Sequence, residues 1–163
     1  RAKDLCAKPS YLLGAAMATT HQNIVAMPDL TVTAAAQSGA RAFAHSGYTP
    51  ADIDVVQVYD AFTINTILFL EDLGFCPKGE GGRFVENGNI APGGSLAVNT
   101  NGGGLSCCHP GMYGLFTMVE AVQQLAGAGG ERQVADARLA LAHGNGGGLS
   151  SQATLIFGAE ETL

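Results

Sequence analysis

The chain has 163 residues, 47% of them hydrophobic, which is enough for one domain, 1–163, with a substantial core. A formal charge of −6 and eight scattered Lys and Arg leave no basic field for a polyphosphate backbone, which argues against nucleic acid as a partner. The longest apolar stretches, such as 134–142 with Asp136 and Arg138 inside it, fall far short of the roughly 20 residues needed to cross a bilayer.

In chain order, "YLLGAAM" (11–17) reads as a short buried strand whose internal glycine marks a close backbone approach. Thr31 is placed to cap the alanine-rich helix in "VTAAAQSGARAFAHSG", which ends near Gly47. Pro50 and Asp52 then mark a turn, and the β-branched run Val55 to Val58 a strand that delivers Tyr59 and Asp60 at its carboxyl end. "FTINTILFLEDLGF" repeats apolar residues at helical spacing, with Gly74 as its stop. The Gly-, Pro- and Asn-rich 77–95 reads as a surface loop with a brief turn of helix, after which strands resume. "PGMYGLFTMVEAVQQLAG" reads as a helix with Pro110 in its first turn. "RLALAHGNGGG" and "SSQATLIFGAE" read as antiparallel strands joined by a glycine-rich bend.

Strands alternating with helices and closed by a hairpin imply an α/β fold, a mixed sheet with helices on both faces. In such folds chemistry collects in loops at the carboxyl ends of strands. Three loops qualify here: Tyr59 to Phe62, Asn99 to Tyr113 and His143 to Ser150.

In the second loop, "NTNGGGLSCCHPGMYG" (99–114), the glycines after Asn101, Gly103 among them, allow positive φ and close approach of a ligand to backbone amides. His109 stands at the mouth of a helix, where the positive end of the dipole favours neutral imidazole. Tyr113 follows four residues later, and its phenol would project near His109 if the helix starts near Pro110. The alternative is a locally packed His109 and a core Tyr113. In the third loop Gly144, Gly146, Gly147 and Gly148 surround Asn145 and could offer N–H groups to a developing oxyanion, or simply form a hairpin bend. The four cysteines, Cys6, Cys76, Cys107 and Cys108, lack paired metal-ligand spacing and read as free thiols, so no metal site is expected. No basic leader followed by an apolar segment opens the chain, consistent with a cytoplasmic location.

Taken in order and at these separations, "VYDAF", "NTNGGGLSCCHPGMYG" and "HGNGGGLS" resemble the C-terminal half of a thiolase, particularly the sterol-carrier-protein-type thiolases and lipid-transfer thiolase-like proteins. The resemblance covers nearly the whole chain and implies a five-stranded mixed sheet, the N-terminal half of the family being absent. It further implies an acyl-CoA substrate, no cofactor beyond that coenzyme A thioester, a homodimer and, for the aldolase-like branch, an OB-fold and zinc-ribbon partner protein. His109 matches the Gly-His-Pro histidine, which binds the thioester oxygen and helps activate the nucleophile. Tyr59 replaces the Asn or His that completes that oxygen site, and Gly146 matches the glycine of the second oxyanion site.

The departures from the pattern concern the thiols. The nucleophilic cysteine of thiolases belongs to the N-terminal half, and Gly144 and Ala61 stand where the second reactive cysteine would be. Cys108 replaces the glycine before His109. A retro-aldol cleavage needs no acyl-enzyme, only a base for a β-hydroxyl and a donor for the departing enolate. That is the chemistry of the steroid side-chain aldolases of the group, with Tyr59, Tyr113 and His109 as catalytic residues and Asn101, Gly103, Asn145 and Gly146 around the substrate. A carbon–carbon thiolase and a non-catalytic acyl-CoA-binding or assembly module are the competing expectations.

Overall fold

The structure is a computed structural model and describes residues 1–107 and 111–163. In order the elements are α1 (Ala2–Leu5), β1 (Tyr11–Thr19), α2 (Ala35–Ser46), β2 (Val55–Val58), α3 (Thr63–Asp72), α4 (Gly81–Phe84), β3 (Ala97–Val98), α5 (Tyr113–Leu125), β4 (Leu139–Gly146) and β5 (Ser151–Gly158). The five strands form one mixed sheet in the order β1-β5-β4-β2-β3. β2 runs parallel to β3 and β4, while β5 pairs antiparallel with both β4 and β1.

Side chains alternate across the strands, so each face collects its own apolar set. Val56, Val58, Leu141 and Ile156 pack against Ala42 and Phe43 of α2 and Phe69 and Leu70 of α3. Val55, Ala140, Ala142 and Phe157 face the other way, onto Ala121 and Leu125 of α5. Helices therefore cover both faces, and all four residues of β2 are buried, as a continuous Val-rich run in a parallel pair requires.

Three details correct the sequence expectations. β1 is an edge strand, paired with β5 on one side only, and its Leu12 and Met17 are exposed where the expectation was a buried strand. The close approach at its glycine is real, however: a Cβ on Gly14 would collide with the carbonyl oxygen of Ala42 in α2. The cap of α2 is Thr33, whose Oγ1 accepts from the Ala35 N–H at 3.1 Å. Thr33 is in turn held by Asp72, which accepts from both its N–H and its hydroxyl at 2.7 Å. Thr31 donates instead to Asp29. Finally, α5 starts at Tyr113, after Gly111 at φ of 79° and a non-helical Met112; the expected meeting of Tyr113 with His109 lies outside the described residues.

α2 stops where the sequence indicates, at Gly47 with φ of 77° and its N–H bonded to the Phe43 carbonyl. α4 is the brief helical turn expected within 77–95. α5 is apolar on its outer side as well: Leu115, Phe116 and Val119 are each about half exposed. No helix among the described residues is long and apolar enough to cross a membrane.

Candidate active site

The parallel pairing of β2 with β4 sets the site. Tyr59 extends β2 by one residue, its N–H donating to the His143 carbonyl at 3.0 Å, so the ends of both strands lie side by side. Tyr59, Asn145 and Gly146 then line one cavity of about 380 Å³ with Met17, Leu115 and Leu155. Its walls are mostly aliphatic, and the polar groups cluster at the strand ends.

The loop after β3 is shaped by Asp60, a buried carboxylate that accepts from the Gly104 N–H at 2.6 Å and the Leu105 N–H at 3.4 Å. Gly102 and Gly103 have φ of 90° and 71°, a region that side-chain-bearing residues avoid. A Cβ on Gly103 would also run into the Asp60 carboxylate. Gly103 is buried and its N–H donates to Asn101 Oδ1 at 3.0 Å. That amide is spent on the turn.

Asn101 Oδ1 also accepts from the Tyr113 hydroxyl at 3.3 Å. Tyr113, at the first position of α5, is buried and meets Tyr59 edge to face, with centroids 5.4 Å apart and planes at 84°. Phe116 stacks on its other side at 5.9 Å. Burial lifts the Tyr59 phenol above its ordinary value, with the Asp60 carboxylate adding to the effect. Tyr113 is pushed up to about 12, chiefly by burial, with the bond to Asn101 opposing and Asp60, Cys107 and Glu120 reinforcing. Both phenols are therefore neutral hydrogen-bond donors at pH 7.

Beneath this loop lies a second buried carboxylate. Glu120 accepts from Thr100 at 2.7 Å, Gln124 at 2.9 Å and Arg132 at 2.9 Å, and Thr100 accepts in turn from Gln57 at 2.9 Å. The Arg132 guanidinium and these neighbours hold the Glu120 carboxyl below its usual range against the opposing effect of burial. This set fastens α5, β2 and the residue preceding Asn101 to one another. Spacing gave no sign of it, because Gln57, Thr100, Glu120 and Arg132 belong to four separate segments.

The loop expected over His143 to Ser150 is shorter than it reads. β4 continues to Gly146 and β5 begins at Ser151, which leaves a turn of four residues with Gly147 at φ of 61°. His143 is consequently a core residue, fully buried and packed on Phe69 with centroids 4.7 Å apart. Its imidazole is driven down to about 4 by burial, the bond to Gln152 opposing weakly.

Tyr59, Tyr113, Asn101, Asn145 and Gly146 thus stand at one rim of the sheet. His109 lies outside the described residues, as do Cys108 and Pro110. Among the described residues Cys6, Cys76 and Cys107 are free thiols, and no group of three or more His, Cys, Asp or Glu is placed to hold a metal ion.

The family described as Thiolase C-terminal domain-like matches residues 16–159. Acetyl-CoA acetyltransferase of Methanothermobacter thermautotrophicus is 40% identical over 158 residues, which are 96% of this chain and 41% of that protein. The 17-hydroxy-3-oxo-4-pregnene-20-carboxyl-CoA lyase of Mycobacterium tuberculosis is 44% identical over 89 residues, 55% of this chain and 22% of the lyase. Among solved structures, the Ltp2-ChsH2(DUF35) aldolase superposes with a TM-score of 0.82 at 30% identity, over 96% of this chain and 41% of that one. The chain spans about two fifths of the length of the acetyltransferase and of the aldolase chain.

Proposed function

Since this chain belongs to the thiolase C-terminal domain-like family, we propose that its Tyr59–Tyr113 cleft serves retro-aldol cleavage of a β-hydroxyacyl-CoA with a lipid or steroid side chain. The observation that carries this reading is a neutral Tyr59 that lines a cavity with aliphatic walls and meets the buried Tyr113 edge to face, 5.4 Å between ring centroids. One phenol oxygen, as phenolate, takes the proton of the β-hydroxyl. The Cα–Cβ bond breaks, a carbonyl forms at Cβ, and the electron pair passes into the enolate of the thioester. The other phenol delivers its proton to Cα, giving a shortened acyl-CoA. A raised phenol value makes the phenolate scarce but strongly basic, and the same two groups exchange a proton to restore the starting state. The steps balance without a cofactor. His109, by its resemblance to the Gly-His-Pro histidine, polarises the thioester oxygen.

The lyase and the aldolase among the relatives support this choice of reaction, and the aldolase's two-component name supports a partner protein beside acyl-CoA. A homodimer and an OB-fold, zinc-ribbon partner belong to the same proposal. The 40% identity to an acetyltransferase favours one second reading, carbon–carbon bond formation through an acyl-cysteine. Gly144 and Ala61 weigh against it, because each removes a thiol that such chemistry uses.

The test is turnover of a β-hydroxyacyl-CoA by the full-length protein and by its Tyr59→Phe and Tyr113→Phe variants. Loss of on the order of 10²-fold for each fits a general acid or base. Unchanged rates for both remove the phenols from the mechanism, and a covalent acyl-cysteine on quenching establishes the second reading instead.

A further inference from the structure

The buried face of α5 carries a polar stripe: Tyr113, Thr117, Glu120 and Gln124, spaced by four, three and four residues, are each 1–2% exposed. Opposite it β2 presents Gln57, on the same side of the sheet as Val55. Thr100 joins the two elements. Its Oγ1 lies 2.7 Å from Glu120 Oε1, 2.9 Å from Gln57 Nε2 and 3.2 Å from Gln124 Nε2.

The direction of these bonds is fixed by groups that have no choice. A Glu120 carboxylate can only accept, so the Thr100 hydroxyl donates to it, and with that single proton committed the Gln57 and Gln124 amides donate to Thr100. The Val134 N–H, bonded to Gln124 Oε1 at 2.8 Å, sets the Gln124 amide the same way round. The main chain beside Thr100 is pinned as well. The Asn99 N–H donates to the Val56 carbonyl at 2.9 Å, Asn99 Oδ1 accepts from the Val58 N–H at 2.8 Å, and the Gly104 N–H goes to Asp60. Asn101 lies inside this frame and is itself exposed. Its Oδ1 accepts from the Gly103 N–H, which can only donate, so the atom there is the oxygen and the Tyr113 hydroxyl must give it its proton.

From this geometry we propose that Thr100, locked by Glu120 and Gln57, is a positioning residue that holds the exposed Asn101 where it receives the Tyr113 hydroxyl, and so fixes the Tyr113 phenol beside Tyr59. This deepens the reading given above and rests on it for the part Tyr113 plays in proton transfer. Contacts with Tyr59 and Phe116 confine the Tyr113 ring, and the bond to Asn101 orients its hydroxyl. Arg132, 2.9 Å from Glu120, matches the buried charge, so the acceptor stays ionised and the Thr100 hydroxyl stays turned towards it. Thr100 and Glu120 act only through Asn101 and Tyr113.

Two measurements test the proposal, the first of them free of any assumption about activity. In the full-length protein labelled with 13C-tyrosine, exchange of the Tyr113 hydroxyl proton is read from its Cζ signal in mixed light and heavy water. Slow exchange, seen as a split signal that vanishes in Tyr113→Phe, is expected for the wild type and for Thr100→Ser. A single averaged signal is expected for Thr100→Val and for Asn101→Ala. A single signal in the wild type, or a split one retained in Thr100→Val, overturns the positioning role whatever the protein catalyses. The second is a double-mutant cycle on kcat/KM in the same protein. Thr100→Val is expected to cost about tenfold in the wild-type background and nothing further in Tyr113→Phe. Equal losses in both backgrounds mean that Thr100 is merely structural and overturn the proposal. If the full-length protein cleaves no β-hydroxyacyl-CoA, the reaction assigned above fails, while hydroxyl exchange still decides whether Thr100 holds Tyr113.

Discussion

Tyr59 and Tyr113 meet edge to face, 5.4 Å between ring centroids, although one follows β2 and the other opens α5. The contact gives a direct spectroscopic expectation. In an alkaline titration of the four tyrosines followed by phenolate absorbance, the final step belongs to Tyr113 at about 12 and disappears in Tyr113→Phe. Because the folded value lies above the unfolded one of 10, the stabilisation tied to this group is complete below pH 10 and is lost as pH rises towards 12. A last step that survives in Tyr113→Phe contradicts the assignment.

His143 predicts the acid limb. Its folded value of about 4 lies below the ordinary 6.5, so the unfolded chain takes up a proton first as pH falls. Stability is full above pH 6.5 and declines between there and about 4, by on the order of 3 kcal/mol for a fully buried ring. Urea unfolding at pH 7, 5.5 and 4.5 measures it, and His143→Gln is expected to flatten the slope. An unchanged slope in the variant assigns the acid limb to other groups.

Asp60 ties the first loop to the second. Asp60→Asn keeps the shape but removes the charge that receives the Gly104 and Leu105 amides, and a loss of roughly 1–2 kcal/mol follows for charge-assisted bonds. Amide hydrogen exchange should quicken at Gly104 first. Protection equal to wild type there would show that the carboxylate does not hold the loop.

Removing Glu120 leaves Thr100, Gln124 and Arg132 without their shared acceptor. Breaking a buried ion pair costs about 3–5 kcal/mol, but Arg132 is partly exposed and can turn to water, so roughly 2–3 kcal/mol is expected for Glu120→Ala. Chemical denaturation reads this out. A loss under about 1 kcal/mol would mean that the network contributes little beyond a surface pair.

Gly14→Ala tests the packing of β1 on α2. A methyl group would collide with the Ala42 carbonyl, so backbone must move, at a cost of about 1–3 kcal/mol. A midpoint of thermal unfolding equal to wild type would show that β1 yields freely at this edge.

The pattern of local signals explains which of these features the sequence reveals. α2, α3, β2, β4 and β5 are legible because periodicity and bounding glycines act within each segment, Gly47 at the end of α2 being an example. β3 spans two residues and has no period to detect. Thr33 outcompetes Thr31 as a cap because Asp72, far along the chain, fixes it. Tyr59, Asn145 and Gly146 are locatable as residues of two loops, but their meeting depends on the parallel register of β2 with β4. His143 reads as a loop residue beside glycines, whereas β5 pairs it into the core opposite Thr154. Glu120 and Gln152 carry no motif, and Asp60, though part of "VYDAF", gives no sign of its role, since the partners of all three lie in other segments.

Gly144 does not require its lack of a side chain. Its φ is not positive, and a Cβ there meets only the Gly114 Cα, at 3.7 Å, an ordinary contact. A methyl group at this strand end would fit without rebuilding the backbone. The glycine at this position is therefore a choice of side chain and not a demand of the backbone.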